Sequence, residues 1–253
     1  MTAAKYLDAI SERLALLLTQ ASQIQLAADL CAKTIHSNGV VHVFGAGHSR
    51  MMAEEAYPRI GAVVGFHPVI ELAVTYFTPV IGGSGLRQAL FLERIPGYGK
   101  VIFDEADTRT GDAVIVFSSS GVEHIIVDFV DAAQAAGLPV IAVTSSAYSA
   151  AAAAERTNAR RIADFADITI DNCVPVGDAL VEVKGLDERV GASASILNLS
   201  VMDAITAGTA SALVELGSEP LVFSSPHLVG HERSQARFDE CLTGYEHRIL
   251  KRI

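Results

Sequence analysis

The sequence has few features that could cross-link the chain or anchor it in a membrane. Its three cysteines, Cys31, Cys173 and Cys241, are odd in number and far apart, which predicts reduced core thiols rather than a disulfide framework. No apolar run approaches the roughly 18 residues needed to span a bilayer. The N-terminal stretch 1–5 lacks the apolar core of a signal peptide. We therefore expect a cytoplasmic protein that does not associate with membranes.

Basic residues are also scarce. The chain has 19 lysines and arginines against 29 aspartates and glutamates, a formal net charge of −10. Binding to a nucleic-acid backbone needs a clustered basic surface, and the pairs Arg160-Arg161 and Lys251-Arg252 are too small to supply one. We expect no nucleic-acid partner.

Apolar residues, by contrast, are abundant. Hydrophobic residues make up 50% of the 253 positions and charged residues 19%, and the mean hydropathy is positive. A chain of this length can bury about 70% of its unfolded surface without a metal or a disulfide. The composition favours an α/β core whose strands are buried on both faces, together with a large subunit interface.

Short apolar strands alternate with helical patterns along the chain. Residues 4–36 predict one long helix, or two helices joined near Ser22, that end at Asn38-Gly39. The predicted strands cover residues 40–44, 62–66, 113–117, 139–143 and 167–170. The predicted helices cover residues 50–60, 86–95, 125–136 and 192–216. This alternation predicts an α/β fold with a doubly wound parallel sheet.

No linker or break in composition divides the chain. We expect a single domain over residues 1–253, with an N-terminal helical segment at 1–38, a sheet core at 40–223 and a C-terminal helical tail at 224–253. The irregular stretch 68–85, with Pro79 and Gly82-Gly83, has the length and composition of a lid or binding loop.

Two of the predicted strands run into loops of small residues. The first loop is Gly45-Ala46-Gly47-His48-Ser49-Arg50, and the second is Ser118-Ser119-Ser120-Gly121. In a parallel sheet, such loops can meet in one crevice at the carboxyl ends of the strands. Backbone N–H groups at helix N-termini, backed by hydroxyls, suit a phosphate or a polyol.

Nucleotide-binding interpretations of the first loop fail on the residues around it. The third glycine of the dinucleotide fingerprint is missing, and Arg50 stands in its place. Gly65-Phe66-His67 occupies the position where an acidic ribose partner is expected. Neither loop is followed by the Gly-Lys-Ser/Thr of a P-loop.

The order of three motifs resembles the SIS (sugar isomerase) domain family. The first motif is strand–Gly-x-Gly-x-Ser–helix, here Gly45–Ser49. The second is strand–Ser-x-Ser-Gly–helix, here Ser118–Gly121, and the third is strand–Thr-Ser, here Thr144-Ser145. With Asp171-Asn172 and Gly177-Asp178-Ala179 downstream, the chain is similar to a bacterial subgroup described as sugar isomerase domain-containing. The resemblance implies a flavodoxin-like sheet of five strands flanked by helices, a dimer or tetramer with sites near subunit interfaces, and a phosphosugar ligand.

The resemblance also implies roles for the loop residues. The residues that match the family's binding loops are Gly47, Ser49, Arg50, Ser118, Ser119, Ser120, Gly121 and Thr144. Ser118 and Ser120 match its phosphate-binding hydroxyls, which could instead cap the following helix. Glu123 stands where many members have a second Ser or Thr. A carboxylate there repels a phosphate unless it is turned away or protonated, so a neutral sugar stays open as the ligand.

Aldose–ketose isomerisation requires a positioned acid and base. Glu55 and Glu93 are our candidate bases, ahead of Glu54 and Glu71, although each could equally lie on a solvated helix face. The family's catalytic glutamate often falls later on the first-loop helix, where this chain has Arg59. His48 is the candidate for proton transfer or ring opening, and otherwise a loop-stabilising residue.

Arg50 could hold an anion bidentately or merely pair with Glu54. His227 and His231 share a His-x-x-x-His spacing, but Pro226 and Gly230 disfavour a regular helix and no third ligand is evident. We expect no metal and no other cofactor. For these two histidines, entry of one of them into a neighbouring active site is an alternative role to metal binding.

The leading hypothesis is a homo-oligomeric enzyme that interconverts a phosphorylated aldose and ketose through an enediol(ate). A non-catalytic phosphosugar-binding or sensor protein is one alternative, although no DNA-reading helical extension is evident. An amino-sugar phosphate deaminase or lyase is another.

Overall fold

The computed structural model describes residues 1–75, 85–157 and 159–249. Pro79 and Gly82-Gly83 of the predicted lid lie outside these residues, as does the basic pair Lys251-Arg252.

The centre of the structure is a sheet of five parallel strands. The strands are β1 (Val41–Gly45), β2 (Phe66–Val69), β3 (Ala113–Phe117), β4 (Val140–Thr144) and β5 (Ile168–Asp171), in the order β2-β1-β3-β4-β5. All residues of β1, β3 and β4 are buried, because helices cover both faces of the sheet. The predicted fold class, a five-stranded parallel sheet flanked by helices, is confirmed.

The helices follow the alternation that the sequence predicts. They are α1 (Thr2–Leu17), α2 (Ala21–His36), α3 (Met51–Ala56), α4 (Gly85–Leu92), α5 (Tyr98–Asp104), α6 (His124–Ala135), α7 (Ser146–Ala154), α8 (Ala194–Glu215), α9 (Pro226–Val229) and α10 (His231–Ile249). One apolar cluster joins α2, α3 and α8 to one face of the sheet, and a second joins α5 and α6 to the other.

The N-terminal segment adopts the two-helix alternative. A 3-10 turn at Leu18–Gln20 separates α1 from α2, a few residues before the predicted break at Ser22. Beyond α2, Asn38 has a φ of +65°, the left-handed conformation that often ends a helix.

The small side chains of α8 let it approach α2 closely. A Cβ added to Gly208 would lie 2.7 Å from the Cβ of Ala28. Contrary to the expectation that no apolar run approaches the length of a membrane span, α8 is apolar enough to cross a membrane by length and composition alone. Half of this apolar window is buried inside the fold. Burial of this kind is expected of a core helix in a globular protein.

The predicted second strand is wrong by several residues. Residues 62–64 do not enter the main sheet as a strand; Val63 instead forms an antiparallel bridge with Val222. The strand begins at Phe66, after Gly65 turns the backbone at a φ of +131°. An apolar run shows that a segment is buried, but it does not show which element buries it.

The predicted helix 50–60 is also too long. Its α-helical part, α3, ends at Ala56, and Tyr57 is extended at a φ of −170°. Tyr57 precedes Pro58, and a residue before proline is disfavoured in the helical conformation.

An antiparallel hairpin of β6 (Ala179–Val181) and β7 (Val190–Ala192) was not predicted. Its strands have three residues each, too short to produce a clear alternating pattern.

The three cysteines are free thiols. Cys31 and Cys241 are buried, whereas Cys173 is half-buried. Burial raises the pKa of the Cys31 thiol well above its ordinary value, which keeps this thiol protonated and unreactive.

Candidate functional site

The two predicted loops meet at the carboxyl ends of β1 and β3. Gly45 at the end of β1 is in register with Phe117 at the end of β3, so the loops that follow lie side by side. Between them is a cavity of about 240 Å³. Its lining residues are Ala46, His48, Ser49, Glu93, Phe117, Ser118, Ser119, Ser120, Glu123, Ile125, Ile126, Tyr148, Asp178 and Ala194.

Backbone packing shapes the first loop. A Cβ on Gly45 would lie 2.4 Å from the carbonyl oxygen of Ser49, and Gly47 has a φ of +57°. The Ser49 N–H donates to the Ala46 carbonyl at 3.0 Å and closes a 3-10 turn over Gly47–Arg50. This turn places His48 and Ser49 at the cavity wall, while Gly47 is buried.

Side chains shape the second loop. The Ser118 hydroxyl accepts a hydrogen bond from the Gly121 N–H at 3.0 Å. Thr144 is fully buried and donates its hydroxyl to the Ser119 carbonyl at 3.3 Å. A Cβ on Gly121 would lie 2.8 Å from the Thr144 hydroxyl oxygen. Thr144 and Gly121 therefore support the loop from behind, whereas Ser118, Ser119 and Ser120 line the cavity.

Several donors of the second loop are available to a ligand. Because the Ser118 oxygen already accepts from Gly121, its own O–H proton can donate elsewhere. Within the described ranges, the N–H groups of Ser119 and Ser120 donate to no other group of the chain. The N–H of Ile125 in α6, by contrast, donates to the Glu93 carbonyl at 3.1 Å.

Only one of the two candidate bases lines the cavity. Glu93 follows α4 directly, is 8% exposed and belongs to the cavity wall. Glu55, on α3, forms an ion pair with Arg59 and is not a lining residue. Glu93 lies beside α6 because its carbonyl accepts the Ile125 N–H, whereas α3, which carries Glu55, packs with α2 and α8.

Arg50 braces the first loop from outside the cavity. Its Nη1 donates to the Gly47 carbonyl at 3.2 Å, and its Nε lies 3.5 Å from Oε1 of Glu54. The pairing with Glu54 is the second of the two roles that the sequence suggested for this arginine.

Comparison of the sequence with known protein families identifies the family of this chain. A family model described as SIS domain matches residues 5–145, which include both loops and Thr144. The chain belongs to the SIS domain family.

Curated relatives cover most of the SIS chain. It is 36% identical over 210 residues to a UPF0309 protein of Brucella canis, with 81% of each chain covered. It is 31% identical over 222 residues to a UPF0309 protein of Listeria innocua, with 87% of each chain covered.

Solved structures with similar folds are more distant from this SIS protein. A phosphoheptose isomerase of Francisella tularensis has a TM-score of 0.48 at 15% identity, covering 83% of this chain and 98% of that one. A phosphoheptose isomerase of Neisseria gonorrhoeae has a TM-score of 0.46 at 17% identity, covering 82% and 94%.

The Glu123 carboxylate of this SIS domain has a cationic partner. Glu123 pairs through Oε1 with Arg156, which follows α7. Arg156 also donates from Nη1 to the Val122 carbonyl at 3.2 Å. The negative charge that raised doubt about a phosphate is therefore partly compensated by the chain itself.

The carboxylates of Asp171 and Asp178 both accept hydrogen bonds from backbone N–H groups. Oδ1 of Asp171 accepts from the Cys173 N–H at 2.9 Å. Oδ1 of Asp178 accepts from the N–H groups of Ser193 and Ala194 at 2.8 and 2.7 Å, which caps the start of α8. Asp178 also lines the cavity, so it connects the site to the longest helix among the described residues.

Tyr148 is a site residue to which the sequence assigned no role, whereas Asn172 belongs to the Asp171-Asn172 pair on which the resemblance rests. Tyr148 lines the cavity, held by its N–H bond to the Ser145 hydroxyl at 3.0 Å. Asn172 is fully buried behind the serine loop, and its Nδ2 lies 3.3 Å from the Ser119 hydroxyl oxygen. The only sequence signal for Tyr148 is its position on the helix after Thr144-Ser145.

The His-x-x-x-His spacing does not form a continuous helix. His227 lies in α9 and His231 begins α10, and between them Gly230 has a φ of +85°. Across residues 1–75, 85–157 and 159–249, no group of three potential ligands could hold a metal ion.

Proposed function

We propose that this SIS protein binds a sugar phosphate in the cavity between the two loops and interconverts its aldose and ketose forms through an enediol(ate). The observation that carries the proposal is the presence of Glu93, His48 and the serine loop around one cavity. This reaction requires a positioned base and acid, which a carboxyl group and an imidazole can supply, while the hydroxyls can hold the ligand.

The serine loop is suited to the phosphate end of such a ligand. Hydroxyl protons and backbone N–H groups are donors, and a phosphate presents acceptor oxygens. The pairing of Glu123 with Arg156 lowers the repulsion between this carboxylate and an incoming phosphate. A phosphorylated sugar therefore suits the site better than the bare sequence suggested.

The proposed chemistry assigns one proton to each of two residues. Glu93 takes the proton from C2 of the aldose and returns it to C1, so that the C2 hydroxyl becomes the ketone carbonyl. His48 moves the proton between the oxygens on C1 and C2 and assists ring opening. No net oxidation occurs, and no redox cofactor is needed.

Isotope exchange tests the reaction directly. The protein is incubated in D₂O with aldose and ketose phosphates of five to seven carbons, and NMR monitors conversion and deuterium at C1 and C2. Glu93→Gln should lower turnover at least about 10²-fold while ligand binding persists. Glu55→Gln is the control: it makes the same change at the other candidate base, and this variant should retain turnover.

Other outcomes would identify a different activity. Binding without conversion by any sugar phosphate of the panel would indicate a non-catalytic binding protein. Release of ammonia or lactate would indicate deamination or ether cleavage.

We also propose that the protein is a cytoplasmic homo-oligomer. Four leucines of the N-terminal helical segment, Leu7, Leu16, Leu18 and Leu26, are 45–77% exposed. A second copy of the chain could bury them. Light scattering during size-exclusion chromatography tests this, and a monomeric mass at micromolar concentration would contradict it.

A further inference from the structure

We propose that Asn172 is a positioning residue that makes the Ser119 hydroxyl a donor toward the cavity. In this way it adapts the site to a ligand group that only accepts hydrogen bonds, such as a phosphate. The inference rests on the proposed function and names a residue that acts from behind the binding loop.

The orientation of the Asn172 amide is fixed by a backbone group. The Val174 N–H lies 3.2 Å from Oδ1 of Asn172. A backbone N–H can only donate, so the atom facing it must be the amide oxygen. The Asn172 nitrogen is therefore on the other side, 2.8 Å from Oδ1 of Asn198 and 3.3 Å from the Ser119 hydroxyl oxygen.

This orientation determines the direction of the Ser119 hydroxyl. The two N–H bonds of the Asn172 amide are directed to Asn198 and Ser119, so the Ser119 oxygen accepts. A serine hydroxyl has a single proton, which is then free to donate in another direction. Ser119 lines the cavity and Asn172 does not, so the available direction is toward a ligand.

Burial prevents the network from reversing easily. Asn172 is 0% exposed and Asn198 is 1% exposed, so water cannot readily replace either partner. If the Ser119 hydroxyl turned inward, its proton would point at the N–H of Asn172, leaving two donors opposed. The chain thus selects one direction before any ligand arrives.

Replacement of the amide nitrogen by an oxygen tests the inference. In Asn172→Asp the group facing Ser119 becomes an acceptor, and the hydroxyl proton turns inward. The probes are inorganic phosphate and ribose 5-phosphate, titrated by calorimetry against the full chain. N172D should weaken both at pH 8 by about tenfold, the effect of one lost charge-assisted hydrogen bond. At pH 5, where the new carboxyl begins to bind a proton and can donate again, the ratio of wild-type to N172D affinity should be smaller.

A double-variant cycle separates positioning from a general structural defect. Ser119→Ala alone should weaken both probes about tenfold. N172D combined with S119A should weaken them further only by the repulsion of the new carboxylate, well short of a second tenfold loss. Because a buried aspartate could impair folding, Asn172→Ala provides a second path. This variant removes the fixed donor without adding charge. It should weaken the binding of both probes about threefold, again only when Ser119 is present. Asn38→Asp, the same substitution far from the cavity, is the control.

The possible results are distinguishable. If the wild type binds neither probe, the proposed function and this inference are both overturned. If the wild type binds but N172D and N172A bind equally well, or their losses add fully to that of S119A, only the role of Asn172 is overturned.

Discussion

The glycine loop and the serine loop border the same cavity, yet different parts of the chain hold them. The glycine loop is closed by its own backbone, through the contact of Gly45 with Ser49 and the bond from Ser49 to Ala46. The serine loop is held by distant parts of the chain: by the side chains of Thr144 at the end of β4 and Asn172 just after β5, and by the backbone N–H groups of Ser145 and Ile162. One loop is thus determined locally and the other by tertiary structure.

The largest effect should come from breaking the glycine loop. Gly45→Ala places a methyl group 2.4 Å from a backbone oxygen that cannot move without unfolding the turn. We expect a loss of about 3 kcal/mol in the free energy of unfolding, as for severe overpacking, measured by urea denaturation. A loss below about 1 kcal/mol would show that the loop is less constrained than its backbone geometry implies.

The equivalent change in the serine loop should cost less. In Gly121→Ala the new methyl meets a side-chain hydroxyl, that of Thr144, at 2.8 Å, and Gly121 has a φ of +62°. The left-handed conformation alone costs an alanine about 1–2 kcal/mol, and a side-chain oxygen can shift more readily than a backbone carbonyl.

Gly137→Ala is the matched control for that change, because Gly137 has a φ of +75° and open space around its Cβ position. Urea denaturation measures the loss in the free energy of unfolding for both variants. The difference between the two losses is the cost of the contact with Thr144. If G121A is as costly as G45A, side-chain support is as rigid as backbone support.

Removal of the supporting hydroxyl should have a smaller effect. Thr144→Val keeps the shape of the side chain and deletes its bond to the Ser119 carbonyl, which we expect to cost about 1 kcal/mol. Thermal denaturation measures it. Thr169→Val is the control for loss of a threonine hydroxyl, because it deletes a bond of 3.4 Å to the Ala163 carbonyl away from the loop. An equal loss of stability in both variants would show that Thr144 has no special role.

The smallest effect should come from the half-exposed ion pair beside the serine loop. The Glu123 and Arg156 side chains are 22% and 35% exposed, so solvent screens them. Arg156→Gln should weaken inorganic phosphate about threefold by uncovering the Glu123 charge, and Glu123→Gln in the same chain should restore the affinity.

Arg160→Gln is the control for that variant, since Arg160 pairs with Asp131 and is not a lining residue of the cavity. Calorimetric titration at low and high salt measures all of them. An unchanged affinity in R156Q would mean that Glu123 does not influence the anion.

The same contrast explains what the sequence could predict. The parallel sheet and the turn at Gly45–Ser49 follow from local patterns, namely buried apolar runs and glycines where backbone crowds. The sequence singled out the pair Asp171-Asn172, but it could not predict the bond of Asn172 to Ser119, because the two residues are 53 positions apart. The choice between Glu55 and Glu93 depended on a tertiary contact, the bond from the Ile125 N–H to the Glu93 carbonyl, which no local pattern predicts. The shift of β2 to Phe66 arose because the C-terminal segment covers residues 62–64.

Asp178 belongs both to the cavity wall and to the N-terminal cap of α8. Its carboxylate fastens the first residues of α8, and a helix of 22 residues is a stiff rod about 33 Å long. A ligand group that bound the Asp178 carboxylate would compete with the N–H groups of Ser193 and Ala194 for it. Binding in the cavity and the cap of the longest described helix would then share one carboxylate.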